Sequence, residues 1–93
     1  MNNFFSEVYK IVEQIEYGQV MSYGQIAKIL GRPRGARVVG YAMRHCPENL
    51  PWHRVVMADG SITGGEYAEI RKERLKEEGV HFLPDGRVDM SKH

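Results

Sequence analysis

The chain has 93 residues, 42% of them hydrophobic and 27% charged, with a formal net charge of +1 and one cysteine. That length holds a single domain (residues 1–93) with a thin core, and the composition is that of a folded globular protein rather than a disordered tail. No apolar run approaches the ~20 residues of a membrane span, the start Met1-Asn2-Asn3-Phe4-Phe5 has neither region of a signal peptide, and the lone Cys46 cannot close an internal disulfide, so a reducing cytoplasmic setting without membrane contact is expected.

The elements follow in order. Phe4, Phe5, Val8, Ile11, Val12 and Ile15 recur on one helical face and predict a scaffold helix over 3–17, with Asn2 or Asn3 as its cap and Gly18 after its last turn. Gln19-Val20-Met21 is a short extended link. Ser22-Tyr23-Gly24-Gln25 fits a capping box that opens a second helix, with Ile26, Ile29 and Leu30 inward and Gly31 as its stop. Arg32-Pro33-Arg34-Gly35 is a turn. A third helix runs from about Ala36 to His45, with Val38, Val39, Ala42 and Met43 apolar, and Pro47 ends it. Gly40 in its middle costs roughly 1 kcal/mol against alanine, which predicts close approach by another backbone, of protein or of DNA. Two short helices joined by a tight turn form a helix-turn-helix pattern.

Pro51-Trp52-His53-Arg54 comes next, followed by Val55-Val56 as a short buried strand. Asp59-Gly60 turns into the loop Ser61-Ile62-Thr63-Gly64-Gly65. A fourth helix spans about Glu66 to Glu78, with Tyr67, Ile70, Arg74 and Leu75 on or near one face and Gly79 as its stop. Val80, Phe82, Val88 and Met90 flank Pro84-Asp85-Gly86, the signature of a terminal hairpin. The whole reads as a mainly α, small α/β fold.

The small net charge conceals an asymmetry. From Gly31 to Arg54 there are five arginines (Arg32, Arg34, Arg37, Arg44, Arg54) and one acid, Glu48, a balance of +4; from Asp59 to Asp89 eight acids and five bases give −3. Arginine carries a planar fork of donors that suits phosphates and base edges. An arginine-rich helix-turn-helix beside an acidic tail therefore points to nucleic acid rather than to a uniformly basic surface.

Candidate chemistry is sparse. No paired Cys/His spacing supports a metal site, no phosphate loop follows a strand, and no cofactor is expected. His53 is either a base or a structural hydrogen-bonding residue, and a base needs a nucleophile to activate. The Trp52 indole nitrogen only donates. Cys46 is either a nucleophile or a small buried hydrophobe at a helix end. Trp52, off any helical stripe and in the basic half, has the character of a platform on which an unstacked base rests.

Leu50-Pro51-Trp52-His53-Arg54-Val55 resembles the Pro-Cys-His-Arg-Val motif of the O6-alkylguanine-DNA alkyltransferases, with tryptophan where the reactive cysteine belongs. Ser22-Tyr23-Gly24-Gln25-Ile26-Ala27 and Gly35-Ala36-Arg37-Val38-Val39-Gly40-Tyr41-Ala42-Met43-Arg44 are similar to that family's helix-turn-helix, and Glu77-Glu78-Gly79-Val80 to its closing helix end. The likeness covers essentially the whole chain, as the family's C-terminal domain alone, and Pro-Trp-His-Arg is the mark of its alkyltransferase-like branch. The resemblance implies a winged-helix-like fold, a monomer, and duplex DNA carrying O6-alkylguanine as the partner, entered through the minor groove. It implies that Arg37 fills the stack left by a flipped base and that Tyr23 presses the 3′ phosphate. Arg34, Ala36, Gly40, Tyr41 and Arg44 complete the DNA-binding set, and Met43, Trp52, Val55, Ile62, Thr63 and Gly64 the lesion pocket. His53 and Glu78 match the helpers of the missing thiolate, so a non-catalytic sensor is expected, one that hands the lesion to nucleotide excision repair in a bacterial or archaeal nucleoid. The segment Met43–Pro51 is shorter than in the alkyltransferases, which leaves Asn49 as candidate for their hinge asparagine. No arginine lies between Val55 and Ile70, where some relatives hold one against the base, so that contact is absent or moves to Arg71. Two rival readings remain: a sequence-specific helix-turn-helix regulator in the major groove, and an active alkyltransferase using Cys46.

Overall fold

A computed structural model describes residues 3–62 and 65–93. Thr63 and Gly64, expected in the lesion pocket, and Asn2, a candidate cap, lie outside the described residues. The order is α1 (Asn3–Glu13), β1 (Met21–Ser22), α2 (Tyr23–Ile29), α3 (Ala36–Arg44), a 3-10 turn at Trp52–Arg54, β2 (Val55–Val56), a second 3-10 turn at Gly65–Tyr67, and α4 (Ala68–Glu77). The strands pair in parallel, Met21 with Val55 and Ser22 with Val56. The chain is therefore mainly helical around a minimal sheet, as its sequence predicts.

Helix α1 stops at Glu13 rather than at residue 17. The next amides tighten into three-residue bonds, Gln14 to the Ile11 carbonyl and Ile15 to that of Val12. The backbone beyond is recruited elsewhere: the Ile15 carbonyl accepts from Arg54 Nη1 at 2.7 Å, and the Gly18 amide donates to the Glu78 carboxylate at 2.9 Å. A continuing helix would need those groups for itself.

The capping box at α2 forms as predicted, the Gln25 amide donating to Ser22 Oγ at 3.0 Å and the Ser22 amide to Gln25 Oε1 at 2.8 Å. The helix ends in a Schellman arrangement: Arg32 N–H reaches the Ala27 carbonyl, Gly31 N–H that of Lys28, and Gly31 takes φ +76°. Ile29 departs from expectation. It is exposed, and Ile26 and Ala27 are the buried residues of α2.

Val39, Ala42 and Met43 bury one side of α3 against α1 and α2. Val38, read as apolar core, faces out. Two clusters of buried residues divide the interior. Val8, Val12, Ile15, Ile26, Ala27, Val39, Ala42, Met43 and Val55 form the first; Val20, Val56, Leu75, Val80 and Val88 form the second, under the C-terminal hairpin. The adjacent strand residues Val55 and Val56 serve different clusters, as neighbours on a strand must when both faces are covered. The hairpin is present as an antiparallel bridge between Phe82 and Val88.

Candidate nucleic-acid interface and the Trp52 cluster

The exposed side of α3 carries Ala36, Arg37, Gly40, Tyr41 and Arg44. These positions recur at helical spacing and share one face. That face, with Tyr23, Met43, Met57, Gly65 and Arg71, borders an open cleft of about 830 Å³. Six of the seven predicted DNA-binding residues thus line one depression, and the seventh, Arg34, is exposed on the preceding turn. A Cβ added at Gly40 would meet no atom within 4 Å. No described part of this chain outside the helix itself therefore explains the glycine by crowding.

The predicted lesion pocket is divided. Met43 lines the cleft, whereas Trp52, Val55 and Ile62 do not. Val55 is fully buried in the first core, and Ile62 packs on the second. Trp52 is half-buried and enclosed by other side chains: the Arg71 guanidinium 5.1 Å from its ring centre, that of Arg74 at 4.9 Å, and Tyr67 edge-on at 6.4 Å. Arg71, rather than the indole, meets the cleft. Two cations over one indole are favourable because the ring face carries negative charge.

Glu78 sits at the end of α4 and gathers four groups. His53 Nε2 lies 2.6 Å from one carboxylate oxygen, Arg54 donates through Nε and Nη2, each at 2.9 Å, and the Gly18 amide adds the fourth bond. Burial opposes its charge, but the Arg54 fork, the Gly18 amide and His53 outweigh it and hold the carboxyl at about 2. Burial, joined by the charges of Arg54 and Arg74, holds the His53 pKa below its ordinary 6.5 against the pull of Glu78, so the imidazole is neutral at neutral pH. A carboxylate only accepts, so the neutral ring must donate through Nε2, and its bare Nδ1 has no hydrogen-bond partner among the described residues. The arrangement is that of a base held ready with no acid beside it. Arg54 as the central partner of Glu78 was not singled out from sequence; its place directly after His53 was the signal available.

Cys46 is partly buried at the end of α3 with its thiol unbonded to any other sulfur, and burial raises its pKa despite the nearby Arg71. A thiol in that condition is a poor nucleophile. Among the described residues no three His, Cys, Asp or Glu side chains are grouped to hold a metal, and no helix is long and apolar enough to cross a membrane.

The same architecture recurs among known proteins. The family described as "6-O-methylguanine DNA methyltransferase, DNA binding domain" matches residues 3–80. Alkyltransferase-like protein 1 of Schizosaccharomyces pombe is 45% identical over 88% of this chain and 81% of its own. A DNA base-flipping protein of Vibrio parahaemolyticus is 35% identical over 100% of this chain and 96% of its own. The crystal structure of S. pombe Atl1 in complex with damaged DNA containing O6-carboxymethylguanine superposes with a TM-score of 0.79 at 40% identity, covering 95% of this chain and 88% of that one.

Proposed function

This chain belongs to the 6-O-methylguanine DNA methyltransferase DNA-binding-domain family, and its relatives include alkyltransferase-like and base-flipping proteins as well as methylated-DNA–protein-cysteine methyltransferases; from that premise and from Trp52 in the place of the reactive cysteine we propose that it recognises O6-alkylguanine in duplex DNA without repairing it. The single observation that carries the proposal is the face of α3, where Ala36 and Gly40 leave room for a groove wall and Arg37 projects into the same cleft. Small residues let a helix approach DNA closely, and Arg37 takes the place of the extruded base. Flipping costs a few kcal/mol of unstacking, least at a damaged pair, so the weakness of the lesion adds to selectivity. The base then enters the cleft bounded by Met43, Met57 and Arg71.

The second half of the proposal is chemical. Alkyl transfer needs a thiolate, and Trp52 occupies the position where the resemblance puts it. His53 and Glu78 keep their geometry with nothing to deprotonate. The lesion leaves the protein unchanged, its removal falls to another system, and nucleotide excision repair is the one the resemblance designates. The protein acts as a monomer on nucleoid DNA in the cytoplasm.

Two measurements test this. A duplex with one O6-methylguanine should bind more tightly than the same duplex with guanine, and after long incubation intact mass of the protein should be unchanged. A gain of one methyl group would establish transfer and sink the non-catalytic reading; its persistence in Cys46→Ser would also exclude Cys46 as acceptor. Arg37→Ala should lower affinity for the lesion duplex about tenfold through loss of the intercalated partner. Equal affinity for damaged and plain DNA, with strong sequence preference, would instead identify a major-groove regulator.

A further inference from the structure

His93 ties its own tail to two distant segments, the link after α1 and the chain just past α4, and neither it nor its partners line the cleft. Its Nδ1 lies 2.9 Å from the Gly18 carbonyl oxygen, and its Nε2 lies 2.9 Å from the His81 amide nitrogen. A carbonyl only accepts and a backbone amide only donates, so Nδ1 carries the proton and Nε2 presents its lone pair. The His81 Nδ1 stands 3.3 Å from that same Nε2. The ring centres are 5.4 Å apart, so both nitrogens lie between the rings and face each other. Two features of this pair are those of metal-binding imidazoles. The separation is one: nitrogens bound at about 2.0–2.1 Å in a tetrahedral zinc site stand about 3.4 Å apart. The bond to Gly18 is the other: a ligating imidazole donates its second N–H to a carbonyl, which fixes its tautomer and orientation. The two nitrogens gain little from each other directly, since their separation is beyond the range of a good hydrogen bond. Asp89 adds negative charge nearby. Its amide donates to the His81 carbonyl at 2.9 Å, and bonds from Ser91 hold its carboxyl below the usual range, with Lys92 and His81 close enough to act on it.

We propose that His81 and His93 form a site for a divalent transition-metal ion of the imidazole-preferring class, zinc or its neighbours, bound through His81 Nδ1 and His93 Nε2. On binding, the His81 amide exchanges Nε2 for water, which the exposed position of His81 allows. Water completes the coordination, because among the described residues two side chains rather than three converge. The ion therefore exchanges with solution instead of forming a built-in part of the fold. It locks the tail onto the Gly18 link, whose amide holds Glu78, so the metal and the Glu78 cluster brace one loop from two sides. The inference stands apart from the lesion-binding reading and neither needs nor alters it.

The experiment titrates zinc chloride into the whole chain at neutral pH, read by calorimetry. The wild type should take up one ion per chain. His81→Ala and His93→Ala should each bind at least about tenfold more weakly, the least that disturbing even an outer support costs a metal site. A double variant, His45→Ala with Cys46→Ser, removes the other adjacent pair of soft ligands and should bind as the wild type does. Saturating zinc should raise the wild-type melting temperature, since it binds the folded chain, and should leave that of His93→Ala unmoved. Nitrogen NMR of the wild-type imidazoles identifies the ligating atoms without any variant: the signals of His81 Nδ1 and His93 Nε2 should shift together. Shifts at other imidazoles instead, no saturable uptake by the wild type, or uptake unchanged in His93→Ala would each overturn the site. Uptake abolished in the double variant would assign the ion to Cys46 and His45, with the same result.

Discussion

Gly40 weakens α3 in the free protein, and no described residue outside the helix packs against it in compensation. Stability and binding should therefore respond to Gly40→Ala in opposite directions. The variant should gain up to about 1 kcal/mol in urea unfolding from helix propensity while losing affinity for DNA severalfold, measured by anisotropy. A variant that is both more stable and fully competent would show that nothing approaches this helix at Gly40. Trp52 teaches a related lesson. Its rarity and its neighbours mark it from sequence as the centre of a site; in the fold it stays out of the cleft lining, packed beneath two arginines rather than presented as an open face. Residue type foretold the partner chemistry without foretelling which partner would arrive from within the chain.

At the scale of elements, local signals were legible where a side chain answers its own backbone. Ser22 and Gln25 specify the start of α2 within four residues, and Gly31 its end. They failed where an element is shaped by distant groups. The early end of α1 depends on Arg54 and Glu78, far along the chain. Of the residues read onto one face of the fourth helix, Leu75 is buried as expected, whereas Ile70, Arg74 and, just before α4, Tyr67 are exposed, and Arg71 is buried instead. The hairpin shows how tight such long-range fits are. At Gly60, with φ +89°, an added Cβ would stand 2.3 Å from the Val88 carbonyl oxygen, while the Val88 amide bonds the Gly60 carbonyl at 2.9 Å. Gly60→Ala combines a backbone clash with a left-handed conformation and should destabilise the protein by about 2 kcal/mol or more, read as a lower urea midpoint with the slope unchanged.

For the molecule as a whole, the Glu78 cluster sets the response to acid. His53 has a folded pKa below its ordinary 6.5, so stability falls as pH drops below that value and the unfolded chain takes up a proton the folded one resists. Glu78 has a folded pKa of about 2 against an ordinary 4.5, so its contribution is complete above pH 4.5 and is lost as pH falls from there to 2. That second step is on the order of 3 kcal/mol, from roughly 1.4 kcal/mol per unit. Urea unfolding across this range should show two descending steps. Glu78→Gln should shrink the lower one, to which Asp59, Asp85 and Asp89, held below the ordinary range by hydrogen bonds from Ser61, Arg87 and Ser91, still contribute, and cost about 3 kcal/mol at neutral pH, the penalty for leaving the part-buried Arg54 beside an uncharged partner. A Glu78→Gln protein with wild-type acid sensitivity would assign the acid response elsewhere. The sequence pointed to His53 and Glu78 only through the chemistry they once would have served; their present role in holding the fold depends on three chain segments meeting.

That meeting also imposes an order on synthesis. The Gly18 amide, His53 and Arg54 all wait on a single carboxylate that is translated after every one of them, and the Ile15 carbonyl waits on Arg54. A nascent chain that has not yet emitted Glu78 holds two basic side chains with no reason to leave water, and the first core must wait with them. The domain should therefore close late and at once rather than grow from its N-terminus, and a chain cut just before Glu78 should remain sensitive to protease over nearly all its length.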